Sequence, residues 1–368
     1  MTTPAPIQPQ STRPADLVAL AEKDFVEIAS FVAAQSGRDK QVVEAHLRWF
    51  LLENPARRPE DPLGFGLRSA DQLVGSILCS PQVFRCEKKE IRFMGSSMFY
   101  VDAAHRGGGG RIFLQYCRLG NRHPLFGTSA NLEAAVLWKA AGASPIPGSD
   151  CELFGVLRWA PIAEEVTHRR SSSRLLSRLA GSRLSGVASM FRRWKIDSVA
   201  SDALRPLASA EEVNDLAVRQ STIHQSSAKL TAARDLPYIR WRYFSGRDAT
   251  TEVFGFRSHQ PDRQVLLAVN QRLRGYRGQI KTLNVLDVYP EASPNEWLRI
   301  LGALRARYGT TVDAVVLRSQ NAEQQRVLCE RGFQRRAFAA PNGWFLDRSK
   351  LLPSEDWYPV PADGDGLI

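Results

Sequence analysis

The chain is 368 residues long, 43% hydrophobic and 24% charged, with a formal net charge of +11. That length accommodates two domains of ordinary size, and that composition excludes a collagen-like, coiled-coil or wholly disordered chain. No apolar run reaches the roughly 18–20 residues of a membrane span, and five scattered cysteines with no Cys-x-x-Cys pair indicate reduced thiols in a cytoplasm, not a structural zinc site. Residues 1–14 contain Pro4, Pro6, Pro9 and Pro14 and no apolar core segment, so they read as a disordered tail and not a signal peptide. Periodicity predicts helices over 24–35 and 40–53, the second stopping before Pro55. Strand-like runs follow at 64–68 and 73–79, joined by Ser69-Ala70-Asp71, and a third covers 91–101. A glycine cluster then opens a helix over 112–119, before a strand at 125–127, a helix over 132–141 and a strand at 152–157. This order describes a mixed α/β domain around one sheet.

The stretch 168–195 interrupts the pattern, and from about residue 200 the first order begins again. Helices over 211–220 and 235–243 precede strands at 251–256, 264–269 and 281–289, a helix over 295–308, a strand at 312–317, a helix over 322–331 and a strand at 343–347. Asn131…Gly142 and Asn321…Gly332 share one internal spacing, 190 residues apart, which marks a tandem duplication. The division read from this is a first domain over 15–162, a linker over 163–199, a second domain over 200–350 and a tail over 351–368.

The most informative segment runs Tyr100-Val101-Asp102-Ala103-Ala104-His105-Arg106-Gly107-Gly108-Gly109-Gly110-Arg111-Ile112. A strand delivers a glycine-rich turn that immediately opens a helix. Glycines let backbone approach a ligand, and a helix start offers N–H groups and a positive dipole end, so the segment suits a pyrophosphate. Arg106 and Arg111 add charge at its rim. Further on, Asn131 begins a helix as a capping residue and Gly142 ends it.

Together these segments resemble the GCN5-related N-acetyltransferase superfamily, and the chain resembles a tandem of two such acyl-CoA N-acyltransferase domains, each a mixed sheet flanked by helices. In that superfamily an Arg/Gln-x-x-Gly-x-Gly/Ala turn holds the CoA pyrophosphate, matched by Arg106 and Gly109. A later helix of the form Asn-x(3)-Ala-x(2)-Tyr-x(3)-Gly-Phe flanks the thioester, matched by Asn131, Ala135 and Gly142. The resemblance implies an acyl-CoA such as acetyl-CoA as co-substrate, held by Tyr100, Val101, Arg106, Gly107, Gly108, Gly109, Gly110, Arg111, Asn131 and Trp138. Two positions depart from the pattern: Arg111 stands at the last glycine of the turn unless Gly110 serves, and Trp138 replaces the usual tyrosine acid. Proton carriers are then sought elsewhere, in Tyr116, Ser129 or Thr128, with Asp102 for acceptor binding and His105 facing phosphate or solvent.

The second half copies the later helix well, as Asn321…Gly332-Phe333. Its turn, however, reads Val288-Tyr289-Pro290-Glu291-Ala292-Ser293-Pro294, with no glycine and an acid where phosphate would sit. This half therefore resembles a degenerate copy, and Arg240-Trp241-Arg242-Tyr243 upstream resembles a signature of tandem acetyltransferase-like proteins.

Within 168–195 lie eight of the positive charges and no Asp or Glu, leaving +3 for the rest of the chain. Arg174, Arg178 and Arg192 oppose an apolar face that includes Phe191 and Trp194, which fits either an anionic membrane surface or a solvated linker packed on the domains. Nucleic acid is disfavoured as a partner, because the remaining charge is close to balanced. Three functions are consistent with the sequence. The first is an acyl-CoA-dependent N-acyltransferase on an amine acceptor, with amino sugars or glycan precursors as candidates; it would be cytoplasmic and could sit peripherally on the inner face of the membrane. The second is a catalytically degenerate scaffold docking at a membrane or an enzyme partner. The third is an aminoacyl transferase using charged tRNA, against which the glycine turn argues.

Overall fold

The computed structural model describes residues 15–86, 89–170, 196, 201–216, 230–245, 251–258, 263–275, 278–319 and 321–352. The expected tail over 1–14, the expected tail over 351–368 apart from Leu351 and Leu352, and nearly all of the basic strip lie outside these residues. The strands are β1 (Asp16–Leu20), β2 (Gly64–Ser69), β3 (Gln72–Cys86), β4 (Lys89–Val101), β5 (Leu125–Gly127), β6 (Ser144–Pro145), β7 (Cys151–Val156), β8 (Leu204–Pro206), β9 (Thr231–Ala232), β10 (Thr251–Arg257), β11 (Gln264–Arg274), β12 (Ile280–Tyr289), β13 (Ala314–Leu317), β14 (Gln334–Ala337) and β15 (Trp344–Leu346). The longer helices are α1 (Phe25–Ser36), α2 (Lys40–Leu47), α3 (Gly109–Arg118), α4 (Leu132–Ala140), α5 (Trp159–Arg170), α6 (Pro294–Tyr308) and α7 (Ala322–Glu330). No helix among the described residues is long and apolar enough to cross a membrane.

The α/β class read from the sequence holds, as two mixed sheets flanked by helices. One sheet runs β1-β2-β3-β4-β5-β15-β6, with β9 added beside β3, and the other runs β8-β10-β11-β12-β13-β7-β14. The two orders are the same order twice, except that each sheet holds a strand from the other half of the chain. The strand expected at 152–157 to finish the first sheet forms, but it pairs antiparallel with β13 and β14 in the second. In its place β15 pairs with β5 and β6.

Burial explains why these strands tolerate central positions. Every residue of β7 is buried; Leu153 joins the core under α6 and Phe154 the core under α5. In β15, Trp344 and Leu346 face the core under α3 and α4, while Phe345 packs on the opposite side. Alternating large apolar side chains thus fill both layers.

The duplication is visible in detail. Asn131 caps α4 by accepting from the Ala134 N–H at 2.8 Å, and Asn321 caps α7 by accepting from the Gln324 N–H at 3.1 Å. Gly142 and Gly332 follow these helices at φ +82° and +102°, the left-handed geometry of a helix stop. A third shared feature is a short π-helical segment, Arg48–Leu52 in one half and Arg240–Phe244 in the other. Trp49 and Trp241 from these segments stack 5.1 Å apart at 21°. Each indole N–H donates to the other's backbone carbonyl at 2.8 Å. They lie in one core built from both halves, including Leu20, Phe25, Leu47, Tyr238, Leu266 and Leu286.

Candidate functional site

β4 and β5 are parallel neighbours, yet they pair only at Met94–Leu125 and Gly95–Phe126. Beyond that point β4 continues to Val101 with no β5 partner, because β5 ends at Gly127. A bulge lies on the unpartnered arm. Ser76 pairs with Tyr100 and Leu78 with Ser97, so Met98 and Phe99 together oppose Ile77. Met98 is held at φ +49°, an uncommon conformation for a side chain of its size.

The arm ends in the glycine run, which differs from the open turn expected. Residues Ala103–Gly108 wind into a 3-10 helix that passes straight into α3, and neither Asp102 nor Gly108 makes a side-chain cap. Gly108 is fixed by packing, because a Cβ there would sit 2.3 Å from the Leu67 side chain. Gly107 and Gly110 are different: a Cβ would meet nothing within 4 Å at either, and neither has a left-handed φ. The fold does not demand glycine at these two positions, and what glycine leaves there is open space above a helix start.

The second half closes the same place. There the bulge falls at Leu286, between the pairs Val269–Val285 and Ala268–Asp287. At the start of α6, Ser293 Oγ accepts from the Glu296 N–H while the Glu296 carboxylate accepts from the Ser293 N–H at 2.8 Å. Glu296 also pairs with Arg263 at 2.9 Å. An acid and its own capping box occupy the end where a phosphate would bind.

The residues singled out in the sequence fall into two groups. Tyr100, Val101, Asp102, Arg106, Gly107, Gly108, Gly109, Gly110 and Arg111 lie together on the strand end and the turn. The Gln35 amide of α1 donates to the Asp102 carboxylate, Arg111 donates to the Ala15 carbonyl at 3.0 Å, and Arg106 is exposed. Both ring nitrogens of His105 are buried without a hydrogen-bond partner. The loop between β5 and α4 carries Thr128 and the exposed Ser129. Contacts from the second half hold this loop: Arg318 donates to the Thr128 carbonyl at 3.4 Å, and the Ala130 N–H donates to the Asn342 carbonyl at 2.9 Å.

Tyr116 and Trp138 belong to the second group and correct the expectations placed on them. Tyr116 is fully buried, and its hydroxyl donates to the Met94 carbonyl at 2.7 Å and lies 3.3 Å from that of Phe126. Burial drives the phenol well above its usual range. It ties β4 to β5 at the end of their pairing. Trp138, 2% exposed, stands edge-on to Phe113 and Tyr116 at 5.2 and 5.9 Å, a core side chain and not a cleft wall. Tyr116→Phe should therefore lower stability by about 1–2 kcal/mol through the stranded carbonyls, read by urea unfolding. Any activity should keep its pH profile; a lost alkaline limb would restore the catalytic role.

Among the described residues no cluster of three His, Cys, Asp or Glu side chains could hold a metal ion. No family model and no curated protein matches the chain. Solved structures do. A GCN5-related N-acetyltransferase from Anabaena variabilis aligns over 90% of this chain and 72% of its own, at TM-score 0.56 and 12% identity. N-myristoyltransferase of Saccharomyces cerevisiae with bound myristoyl-CoA aligns over 94% and 81%, at 0.54 and 11%. An Enterococcus faecalis protein described as a probable N-acyltransferase aligns over 91% and 73%, at 0.54 and 9%.

The fold is that of the GCN5-related N-acetyltransferases. Both acetyltransferase-like halves take part in these alignments, since each covers nine-tenths of the chain or more. Sequence reasoning reached the turn and the Asn-capped helix of this fold. It missed Gln35, Arg318 and the paired tryptophans, although Arg48-Trp49 and Arg240-Trp241 stand 192 residues apart and are themselves a legible repeat.

Proposed function

We propose that the chain is an acyl-CoA-dependent N-acyltransferase whose donor cleft lies in the first half, between the unpartnered end of β4 and the loop after β5. One observation carries the placement: α3 starts uncapped on glycines with open space, whereas α6 starts under its own capping box. In this reading the pyrophosphate of the donor rests over Gly107 and Gly110, with Arg106 beside it. Seating it requires the 3-10 winding to loosen so that backbone N–H groups turn outward, which a weakly bonded glycine segment permits at little cost. The backbone at Met98 and Phe99, outside the β3 ladder, is positioned to donate to the thioester oxygen as it becomes an oxyanion. The acceptor amine attacks that carbonyl, the carbon–sulfur bond breaks, and the proton that the amine loses passes to the CoA thiolate. With Tyr116 and Trp138 in the core, that proton comes through Ser129, Thr128 or solvent, and Asp102, oriented by Gln35, receives the acceptor.

The fold, shared with proteins that carry acetyl and myristoyl transfer in their names, supports the acyl donor class. Its chain length and the acceptor, for which amino sugars or glycan precursors are our candidates, are the open variables. The basic strip would place the enzyme at the inner face of a membrane, a contact that anionic-liposome flotation of a 168–195 deletion would test. A second reading, a binding protein that keeps the fold without turnover, is favoured by the burial of Tyr116 and Trp138.

Calorimetric titration with acetyl-CoA and myristoyl-CoA tests both. The proposal expects one of them to bind and to release free thiol with a member of an amine panel. Binding without thiol release would select the second reading, and failure of both donors to bind at millimolar concentration would reject the cleft.

A further inference from the structure

The register of the second sheet gathers polar side chains on one of its faces. Arg272 of β11 lies opposite Thr282 of β12, and Asn284 lies beside Val316 of β13, so Arg272, Arg274 and Asn284 share a face with Arg318, just past β13. Glu152 of β7 is on the same face as Phe154, the partner of Val316. Two apolar cores meet this face: one under α5, which holds Ala314 and Val316, and the one shared by both halves, which holds Ala268 and Leu286. Between them a cavity of about 60 Å³ remains, lined by Glu152, Arg272, Arg274, Asn284 and Arg318 over an apolar floor.

Charge on this wall does not balance, since three arginines line it with one carboxylate. Glu152 is buried and engaged by Arg274, whose guanidinium donates to both of its oxygens and to the Asn284 amide oxygen, all at 3.0 Å. Arg336 of β14 comes within 3.9 Å of the same carboxylate. Arg272 and Arg318 add positive charge that no further acid of the lining offsets. The Arg274 side chain is 37% exposed, and Arg272 and Arg318 are only partly buried, so the charged wall is open. Cations held together repel one another, and an anion placed among them relieves the repulsion. A guanidinium fork matches the paired oxygens of a carboxylate or a phosphate.

We propose that this cavity binds an oxyanion, a carboxylate or a phosphate, and, resting on the acyltransferase reading above, that the oxyanion is the acidic group of the amine acceptor. A water needs roughly 10–15 Å³ of such space, so about four or five heavy atoms fit, the size of an acid head group and not of a whole substrate. Arg318 links the cavity to the donor side. It lines the cavity and also donates to the carbonyl of Thr128, the neighbour of Ser129, at 3.4 Å. An acid seated on Arg318 is thus one side chain away from the loop after β5, and the rest of the acceptor extends toward that loop. The consequence is a preference for amines that carry an acid over neutral amines of the same shape.

Calorimetric titration of the full chain with inorganic phosphate and with propionate, at an ionic strength fixed by sodium chloride and with no acyl donor present, tests the anion site. One of the two should bind saturably, and Arg272→Gln and Arg318→Gln should each weaken it about tenfold. Saturable binding of neither, or unchanged affinity in both variants, would overturn the site. Thiol release with matched amines, glucosamine 6-phosphate against glucosamine and β-alanine against its amide, tests the acceptor. In one pair the acidic member should have a kcat/KM about tenfold higher, and Arg272→Gln should erase that preference. Equal use of both members in each pair would overturn the acceptor assignment. Failure of every amine to react, in a chain that still binds phosphate or propionate, would reject the acyltransferase reading and the acceptor assignment with it, and would leave the anion site standing.

Discussion

Replacing Asp287 with alanine is expected to remove about 3–5 kcal/mol of stability, the largest loss of any single substitution in the junction. The Asp287 and Arg234 side chains are 0% and 1% exposed. The guanidinium donates to both carboxylate oxygens, at 3.0 and 3.2 Å, and a further N–H reaches the Ala232 carbonyl at 2.6 Å. Its face lies over Tyr238 and Tyr289 at 5.8 and 5.4 Å. The Tyr243 hydroxyl donates to the same carboxylate, and burial beside that charge holds the phenol well above its usual range, so it remains a donor. Alanine at 287 removes the carboxylate that neutralises a buried guanidinium. Domains of this kind have a total stability of about 5–15 kcal/mol, so the urea midpoint should fall by a large fraction of its value. The double variant Arg234→Met/Asp287→Leu should be closer to the parent than either single change, because no charge is then stranded. A double variant as unstable as the sum of the singles would reject the pairing argument. Asp287 sits one residue past the bulge on β12, so a salt bridge in the second half fills the region that corresponds to the donor cleft proposed for the first.

Gly110→Asp should separate stability from donor binding by about two orders of magnitude. A side chain at 110 meets no protein atom within 4 Å, and an acid in the first turn of a helix interacts favourably with its dipole. The fold should gain a few tenths to about 1 kcal/mol. The same carboxylate would project toward the proposed pyrophosphate, and like charges in contact cost several kcal/mol. Acyl-CoA affinity should fall about 100-fold while the melting temperature holds or rises. Gly107→Ala should show a milder form of the same pattern, and Gly108→Ala the opposite one, a loss of stability from its contact with Leu67. Unchanged affinity in Gly110→Asp would move the donor away from this turn.

Much of the fold was legible because local patterns and tertiary needs agree. Alternation and turn residues located most strands, and the Asn…Gly spacing, repeated 190 residues apart, revealed the duplication. The exchange of β7 and β15 was not legible. Cys151–Val156 carries apolar residues on both faces, Leu153 on one and Phe154 on the other, and its one charge, Glu152, finds its partner Arg274 only in the folded second half. The glycine run was correctly located but expected as an open turn, because glycine's freedom to bend also allows the 3-10 winding that the chain adopts. Trp138 and Tyr116 show the limit of motif transfer. Helical spacing places them on the right faces, but only the packing of Phe113 between α3 and the sheet shows that both point inward.

The exchanged strands also govern how the molecule comes into being. The first sheet is completed by Trp344–Leu346, so the ribosome must release the strands and helices of the second half before β5 acquires its neighbour. Until then the open edge of β5 waits beside a nascent second half that itself requires β7. Fragments cut near residue 162 or 199 would each lack a central strand, and mixing the two should restore more structure than either contains alone. The halves repeat one pattern, yet they mature as one object.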